Sequence, residues 1–271
     1  MIPKIIHYCW FGNNALPVQA EKCIASWRRF FPDYEIRRCD ESNFDINAVP
    51  YVRQAYEAGK YAFVSDYARF KLLYDEGGMY FDTDVEVIRS FDDIINAGAF
   101  MGCERTFYSR RADPIISIAP GLCIGAPKRM PLLAEILNIY DHMTFVDGEN
   151  VKTVVDITTG LMRAKGWKPS DGVTRIDGMN IYPPCYFSPK DTHTGNINIR
   201  PETRSIHHFA GSWLPETDRR ILALTSRLGW LPGSVRRPVA KIIVLCRCKG
   251  VTAMFRECMA IVRQTHNKST K

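Results

Sequence analysis

The chain has 271 residues, 46% apolar and 24% charged, with a formal net charge of +7; this is enough for one large domain with an appendage, and its composition excludes disordered and collagen-like classes. No run approaches the roughly 20 apolar residues of a membrane-spanning helix, and the start, Met1-Ile2-Pro3-Lys4-Ile5-Ile6-His7, lacks the apolar stretch and cleavage site of a signal peptide. Nine scattered cysteines, with only Cys246-x-Cys248 closely spaced and no second pair for zinc, read as reduced thiols of a cytoplasmic protein.

Taken in order, Pro3 to Trp10 reads as a first strand and Phe11-Gly-Asn-Asn14 as a loop. Pro17 suits the first turn of a helix that carries Ile24, Trp27 and Phe31 on one side. A second strand follows at Tyr34 to Cys39 and a short helix at Tyr51 to Ala58. From Tyr61 to Glu76, Phe63, Tyr67, Phe70 and Tyr74 fall at i, i+4, i+7 and i+11, the stripe of an amphipathic helix. Ser65, Asp66 and Arg69 lie on another face, the last two one turn apart. Gly77-Gly78 ends the helix.

Met79-Tyr80-Phe81 then leads into Asp82-Thr83-Asp84 and on to Val85-Glu86-Val87-Ile88, read as a buried strand that stops at a pair of carboxylates. Strand alternation points Asp82 and Asp84 to one side and Thr83 to the other. Two acids so close repel each other, and a hard divalent cation would relieve them. Beyond, Ala99 to Glu104 and Leu122 to Ala126 read as strands, Met130 to His142 and Val151 to Ala164 as helices, and Ile176 to Phe187 as irregular. Alternating strands and helices imply an α/β layer structure with a mostly parallel sheet, whose ligands sit at the carboxyl ends of the strands; Trp10 and Asp82 fall there.

Ser205-Ile-His-His-Phe-Ala-Gly-Ser-Trp213 offers a nitrogen ligand from His207 or His208. The C-terminus differs in charge. From Arg219 onward twelve Lys/Arg face one acid, Glu257, a net of +11, whereas residues 1–218 hold 24 bases and 28 acids, a net of −4. Val239, Ile242, Ile243 and Cys246 form a helical stripe, and so do Val251, Met254, Phe255, Cys258, Met259 and Val262, both among bases. Residues 236–271 are therefore expected to lie as basic amphipathic helices on an anionic membrane surface, the alternative being helices packed on the body. No recognition motif accompanies the charge, so nucleic acid is not an expected partner.

The wording Tyr-Ala-Phe-Val-Ser-Asp-Tyr-Ala-Arg followed by Gly-Gly-Met-Tyr-Phe-Asp-Thr-Asp-Val-Glu resembles the retaining sugar-nucleotide glycosyltransferases of the GT-A type, more narrowly glycosyltransferase family 32, the capsular-polysaccharide and mannosyltransferase-like group. The resemblance implies a GT-A, Rossmann-like catalytic domain over residues 1–215, with helices on both faces of the sheet, and a basic helical extension over 216–271. It implies Mn²⁺ or Mg²⁺ on Asp82, Asp84 and His208, with His207 as second choice. It implies a nucleotide-sugar donor, UDP-hexose by expectation, contacted by Tyr8, Trp10, Ser65, Asp66, Arg69, Asp82, Ser212 and Trp213. Asp66, Arg69, Asp82 and Asp84 carry the chemistry, and Ser212 and Trp213 belong to a closing segment. The acceptor is expected to be a glycan or lipid-linked oligosaccharide of bacterial capsule or lipopolysaccharide, made at the inner face of the cytoplasmic membrane. Two rival readings differ in class: a haloacid-dehalogenase-like phosphatase with Asp82 as nucleophile, which leaves Ser65, Asp66 and Arg69 without a role, and a non-catalytic binding scaffold. Asp66 with Arg69 could also be a structural ion pair, and Trp10 a core residue.

Overall fold

The computed structural model describes residues 1–106, 114–148, 151–192, 195–211, 216–231 and 233–249. They divide into two compact units, one of Met1–Thr192 with Asn196–Phe209 and one formed by Gly195 and the described residues from Ala210 on.

The first unit is built on β1 (Ile5–Cys9), a run buried at four of five positions. Such a strand needs a neighbour on each edge and a layer on each face. It pairs in parallel with β2 (Glu35–Cys39) and with β3 (Gly78–Tyr80). The connections are α1 (Val18–Phe30) between β1 and β2, then α2 (Pro50–Glu57) and α3 (Tyr61–Glu76) between β2 and β3. After β3 come β4 (Val85–Val87), α4 (Asp92–Asn96), β5 (Phe100–Thr106), β6 (Ile115–Ile118), β7 (Ile124–Ala126), α5 (Pro131–Asp141), α6 (Val154–Ala164), β8 (Thr174–Ile176), β9 (Met179–Tyr182), α7 (Pro184–Phe187) and β10 (Ser205–His207). The large sheet runs β2-β1-β3-β7-β5-β9-β8, with β6 on β5, while β10 and β4 form a separate antiparallel pair.

Five of the eight strands, β1, β2, β3, β5 and β9, share one direction, and β6, β7 and β8 oppose it. The expected α/β architecture with a mostly parallel sheet is present in that form. Alternation along the strands divides the core in two. Tyr80, Met101 and Ile124 pack with α2, α3, α5 and α6, whereas Ile6, Met79 and Phe100 pack with α1, α4 and α7. Helices thus cover both faces.

Two stretches depart from the expected outline. The segment read as irregular, Ile176 to Phe187, contains the turn and second strand of the β8–β9 hairpin, in which Ile176 pairs with Met179 across Asp177-Gly178. Both turn residues have positive φ, 48° and 78°, the conformation Asp-Gly adopts in a tight hairpin. β6 pairs with Cys103–Thr106, the half of β5 past the residues that meet β7 and β9, at a segment the sequence pattern does not assign.

β4 is short and lies outside the large sheet, and side chains hold it in addition to its pairing with β10. Trp27 on α1 is fully buried and donates from Nε1 to the Val85 carbonyl at 2.7 Å. Ser26 Oγ accepts from the Val87 amide at 2.9 Å. One turn of α1 therefore grips both ends of β4. Trp27→Phe should keep most of the apolar packing yet leave the Val85 carbonyl unpaired, a loss of about 1–3 kcal/mol. Urea denaturation should show a lower midpoint with an unchanged slope.

Candidate active site

The site grows from the end of α3. Gly77 and Gly78 have φ of 71° and 104°. A Cβ on Gly77 would stand 2.8 Å from the Lys128 amide nitrogen, and one on Gly78 2.6 Å from the Ile5 carbonyl oxygen. Only glycine allows both the left-handed backbone and this close approach, and the pair swings the chain from α3 into β3 against β1. The strand stops at Tyr80. The Asp82 amide bonds to the Gly121 carbonyl at 3.0 Å, and the Val85 amide closes a turn onto the Asp82 carbonyl at 3.0 Å. The strand ends at the carboxylates as expected, but Asp82 and Asp84 converge through a reverse turn rather than through strand alternation.

Arg69 organises one side of this turn. The residue is 3% exposed. Its Nη2 reaches Asp66 Oδ1 at 2.8 Å and Asp82 Oδ1 at 3.4 Å, and its Nε donates to the Ser65 carbonyl at 3.1 Å. The guanidinium lies 4.8 Å from the centroid of the Tyr80 ring, and the Tyr80 hydroxyl donates to Asp82 Oδ1 at 2.9 Å. Burial works against the Arg69 charge, but Asp82, Tyr80 and Asp66 outweigh it and hold the proton firmly. Burial pushes the Asp66 carboxyl up to about 6 against the pull of Arg69. Arg69 Nη1 is buried with no hydrogen-bond partner among the described residues.

The other side comes from far down the chain. β10 pairs antiparallel with β4, setting His207 opposite Val85. His207 Nε2 stands 3.0 Å from Asp84 Oδ1, and single ligand atoms of Asp82, Asp84 and His207 all lie within 4.8 Å of one another. The next residue points away, as alternation requires: His208 Nε2 meets Glu86 Oε2 at 2.8 Å. The nitrogen beside the two aspartates thus belongs to His207, the second choice from sequence, and not to His208. Phe209, at φ 53°, is a bulky residue in the left-handed region, and the bend brings its ring 4.2 Å from the His207 ring. Burial opposes charge on His207, but Asp84, then Asp82 and Glu104, raise its pKa above 6.5.

The remaining expected residues fall as follows. Trp10 sits half-buried at the carboxyl end of β1, with its Nε1 donating to the Asn14 carbonyl at 2.7 Å. Tyr8 is buried in the core against Trp27, ring centroids 5.9 Å apart. Ser65 Oγ donates to the Tyr61 carbonyl of its own helix at 3.0 Å. Ser212 and Trp213 lie outside the described residues.

Three residues were not foreseen. Glu104 near the end of β5 is close enough to His207 and Asp82 to feel both, and burial raises its pKa. Lys190 Nζ donates to the His208 carbonyl at 2.6 Å; burial lowers its pKa while Asp84 opposes that. Gly121 closes over the acid, since a Cβ there would lie 2.0 Å from Asp82 Oδ2. The only sequence signal among them was Glu104, a charge ending an apolar strand.

The residues fit a divalent ion. Two carboxylates and an imidazole converge, and His207 Nδ1 is buried with no hydrogen-bond partner among the described residues, an orphan polar atom that ring rotation could turn inward. Carboxylate oxygens with one imidazole suit Mn²⁺ or Mg²⁺.

Residues 17–101, which include Asp66, Arg69, Asp82 and Asp84, match the family model described as glycosyltransferase sugar-binding region containing DXD motif. The matched region covers less than half of the chain. Over 124 residues it is 32% identical to inositol phosphoceramide mannosyltransferase 3 of Schizosaccharomyces pombe, covering 44% of this chain and 34% of that protein. Over 110 residues it is 30% identical to an uncharacterized glycosyltransferase of Acanthamoeba polyphaga mimivirus, covering 37% and 42%. The chain therefore spans about a third and about two fifths of the length of these relatives. Among solved structures, the PaToxG glycosyltransferase superposes with a TM-score of 0.46 at 18% identity, over 60% of this chain and 69% of that one. The galactosyltransferase LgtC, in complex with donor and acceptor sugar analogs, gives 0.40 at 16% identity, over 86% and 99%.

Gly121→Ala should force the loop or the Asp82 carboxylate to shift, lowering Mn²⁺ affinity about 10- to 100-fold with the circular dichroism spectrum unchanged. The raised pKa of His207 gives two opposite pH dependences. Without metal, the protonated ring beside Asp84 contributes stability that is complete below 6.5 and is lost as pH rises through the raised value. Metal requires the neutral ring, so Mn²⁺ affinity should rise over that same window. Denaturation and calorimetry between about pH 5 and 8 check both slopes, and His207→Gln should flatten them.

Proposed function

We propose that the chain is a metal-dependent retaining glycosyltransferase that moves a hexose from a nucleotide-sugar donor, UDP-linked by preference, to a glycan or lipid-linked acceptor. The observation that carries this reading is the convergence of Asp82, Asp84 and His207 within 4.8 Å beside the buried Asp66–Arg69 pair. These three side chains would hold Mn²⁺ or Mg²⁺, and a bound divalent ion supplies a Lewis acid that offsets the charge of the departing diphosphate.

The chain's own residues do the rest. Tyr80 and Arg69 fix one oxygen of Asp82, so the carboxylate needs no reorganisation as charge develops. Arg69 Nη1, a buried donor without a partner among the described residues, would reach a hydroxyl oxygen of the donor sugar once the adjoining Gly121 loop moves aside. Asp66 fixes that guanidinium from behind. Lys190 adds a cation on the Asp84 side, suited to the phosphates. Trp10 offers the flat surface on which a base could stack, at the strand end where α/β sheets bind nucleotides. Ser212 and Trp213 remain in this reading as the segment that closes over the diphosphate, and residues 1–215 and 216–271 as catalytic domain and extension.

The finer setting belongs to the same proposal. It is a bacterial capsule or lipopolysaccharide acceptor at the inner face of the cytoplasmic membrane, with residues 236–271 on the lipid surface. It draws on the sequence resemblance and on the net charge of +11 from Arg219 onward. Among the described residues no helix is long and apolar enough to cross a membrane.

A nucleotide-sugar panel with Mn²⁺, read by thermal protection and slow donor hydrolysis, tests the whole reading. Wild-type protein should be protected by a UDP-sugar only when Mn²⁺ is present. Asp84→Asn should lose that protection while melting, ligand-free, close to wild type. Equal protection of the variant would remove Asp84 from the metal set.

A further inference from the structure

Among the described residues the second unit contains a helical hairpin, α8 (Glu216–Arg227) and α9 (Gly233–Lys249). Its inner seam is Ile221, Ala240 and Val244, joined by Leu224 and Leu228. These contacts account for one apolar stripe on each helix. They leave a second one on α9, with Val235 and Ile242 exposed at 40% and 46% and Val239 half-buried between them, a spacing of i, i+4, i+7.

Just before α9 stands Trp230, 78% exposed. It sits in the turn between the helices, and the turn is built rather than loose. Arg236 reaches back to donate from Nε to the Leu231 carbonyl at 2.5 Å and from Nη2 to the Gly229 carbonyl at 2.6 Å. The Leu231 amide bonds to the Leu228 carbonyl at 2.9 Å. Both carbonyls flanking Trp230 are therefore satisfied from within, so the turn can enter a less polar medium without leaving those acceptors unpaired. From Arg219 to Lys249 the sequence holds eight Lys/Arg and no Asp or Glu.

We propose that the Trp230 turn and the outer face of α9 dock on an anionic lipid bilayer, with the indole seated at the headgroup level. This rests on the membrane-surface part of the reading above, and it names the group that enters the interface. A flat amphipathic ring on a turn, next to an apolar stripe edged by bases, has the chemistry of an interfacial anchor. The uniform positive charge matches the negative potential of anionic lipid. Neither α8 nor α9 is long and apolar enough to span, so the hairpin lies on the surface.

The test uses the full chain with vesicles of phosphatidylcholine and phosphatidylserine, with and without brominated acyl chains. Wild-type tryptophan emission should be quenched by the brominated anionic vesicles. Trp230→Phe should lose most of that quenching although four other tryptophans remain, and Trp230→Ala should bind about tenfold more weakly. Undiminished binding of Trp230→Ala that disappears in high salt would overturn the anchor yet leave a purely electrostatic membrane association. No binding to any vesicle would overturn both. A chain that sediments as a dimer, and as a monomer in Trp230→Ala, would mean that a second copy covers this face, and the proposal would fall.

Discussion

One guanidinium makes the candidate site tenable. Asp66 and Asp82 approach each other past the carboxyl end of β3 with Arg69 between them, and the arginine is almost out of contact with water. Removing an ion from water costs several kcal/mol, so this cluster is not a device for stability. Its effect is orientation. Arg69 and the Tyr80 hydroxyl converge on the same oxygen of Asp82, while the Gly121 backbone closes against the other. The carboxylate is left with essentially one position.

The electrostatics of the corner agree in sign. His207 holds its proton above the ordinary range even though burial opposes it, because Asp84, Asp82 and Glu104 are near. Glu104 is pushed up, chiefly by burial. A group of acids that raises the pKa of a buried imidazole is a site in want of positive charge. Without metal the His207 proton and Lys190 answer part of that want; a divalent ion would answer more of it and displace the proton.

Much of this was legible in the sequence, and the limits have physical causes. α3 was readable at its full length because a long amphipathic stripe ends on two glycines. Asp82 and Asp84 were readable as a pair, but the reason offered was strand alternation, and the chain in fact turns there; a three-residue β3 and a three-residue β4 are too short to distinguish from one strand by pattern. The choice between His207 and His208 depends on which face of β10 meets β4, and register between strands so far apart in sequence leaves no local trace. Gly121 and Lys190 act through proximity alone. The hairpin at Asp177-Gly178 is different: its turn residues were present in the sequence, and the surrounding prolines and tyrosines obscured them.

The β4–β10 pairing carries a consequence for how the molecule is made. Val85 and His207 are separated by most of the first unit, yet their ladder delivers the imidazole to the aspartates. Contacts of such long sequence separation are slow to form, since loop closure must precede any gain from pairing. As the polypeptide leaves the ribosome, the large sheet can assemble from residues already released while β4 waits on α1 with one edge open. The acidic corner is therefore complete only once β10 has been released and paired with β4, and the proposed cation site would not exist before that pairing.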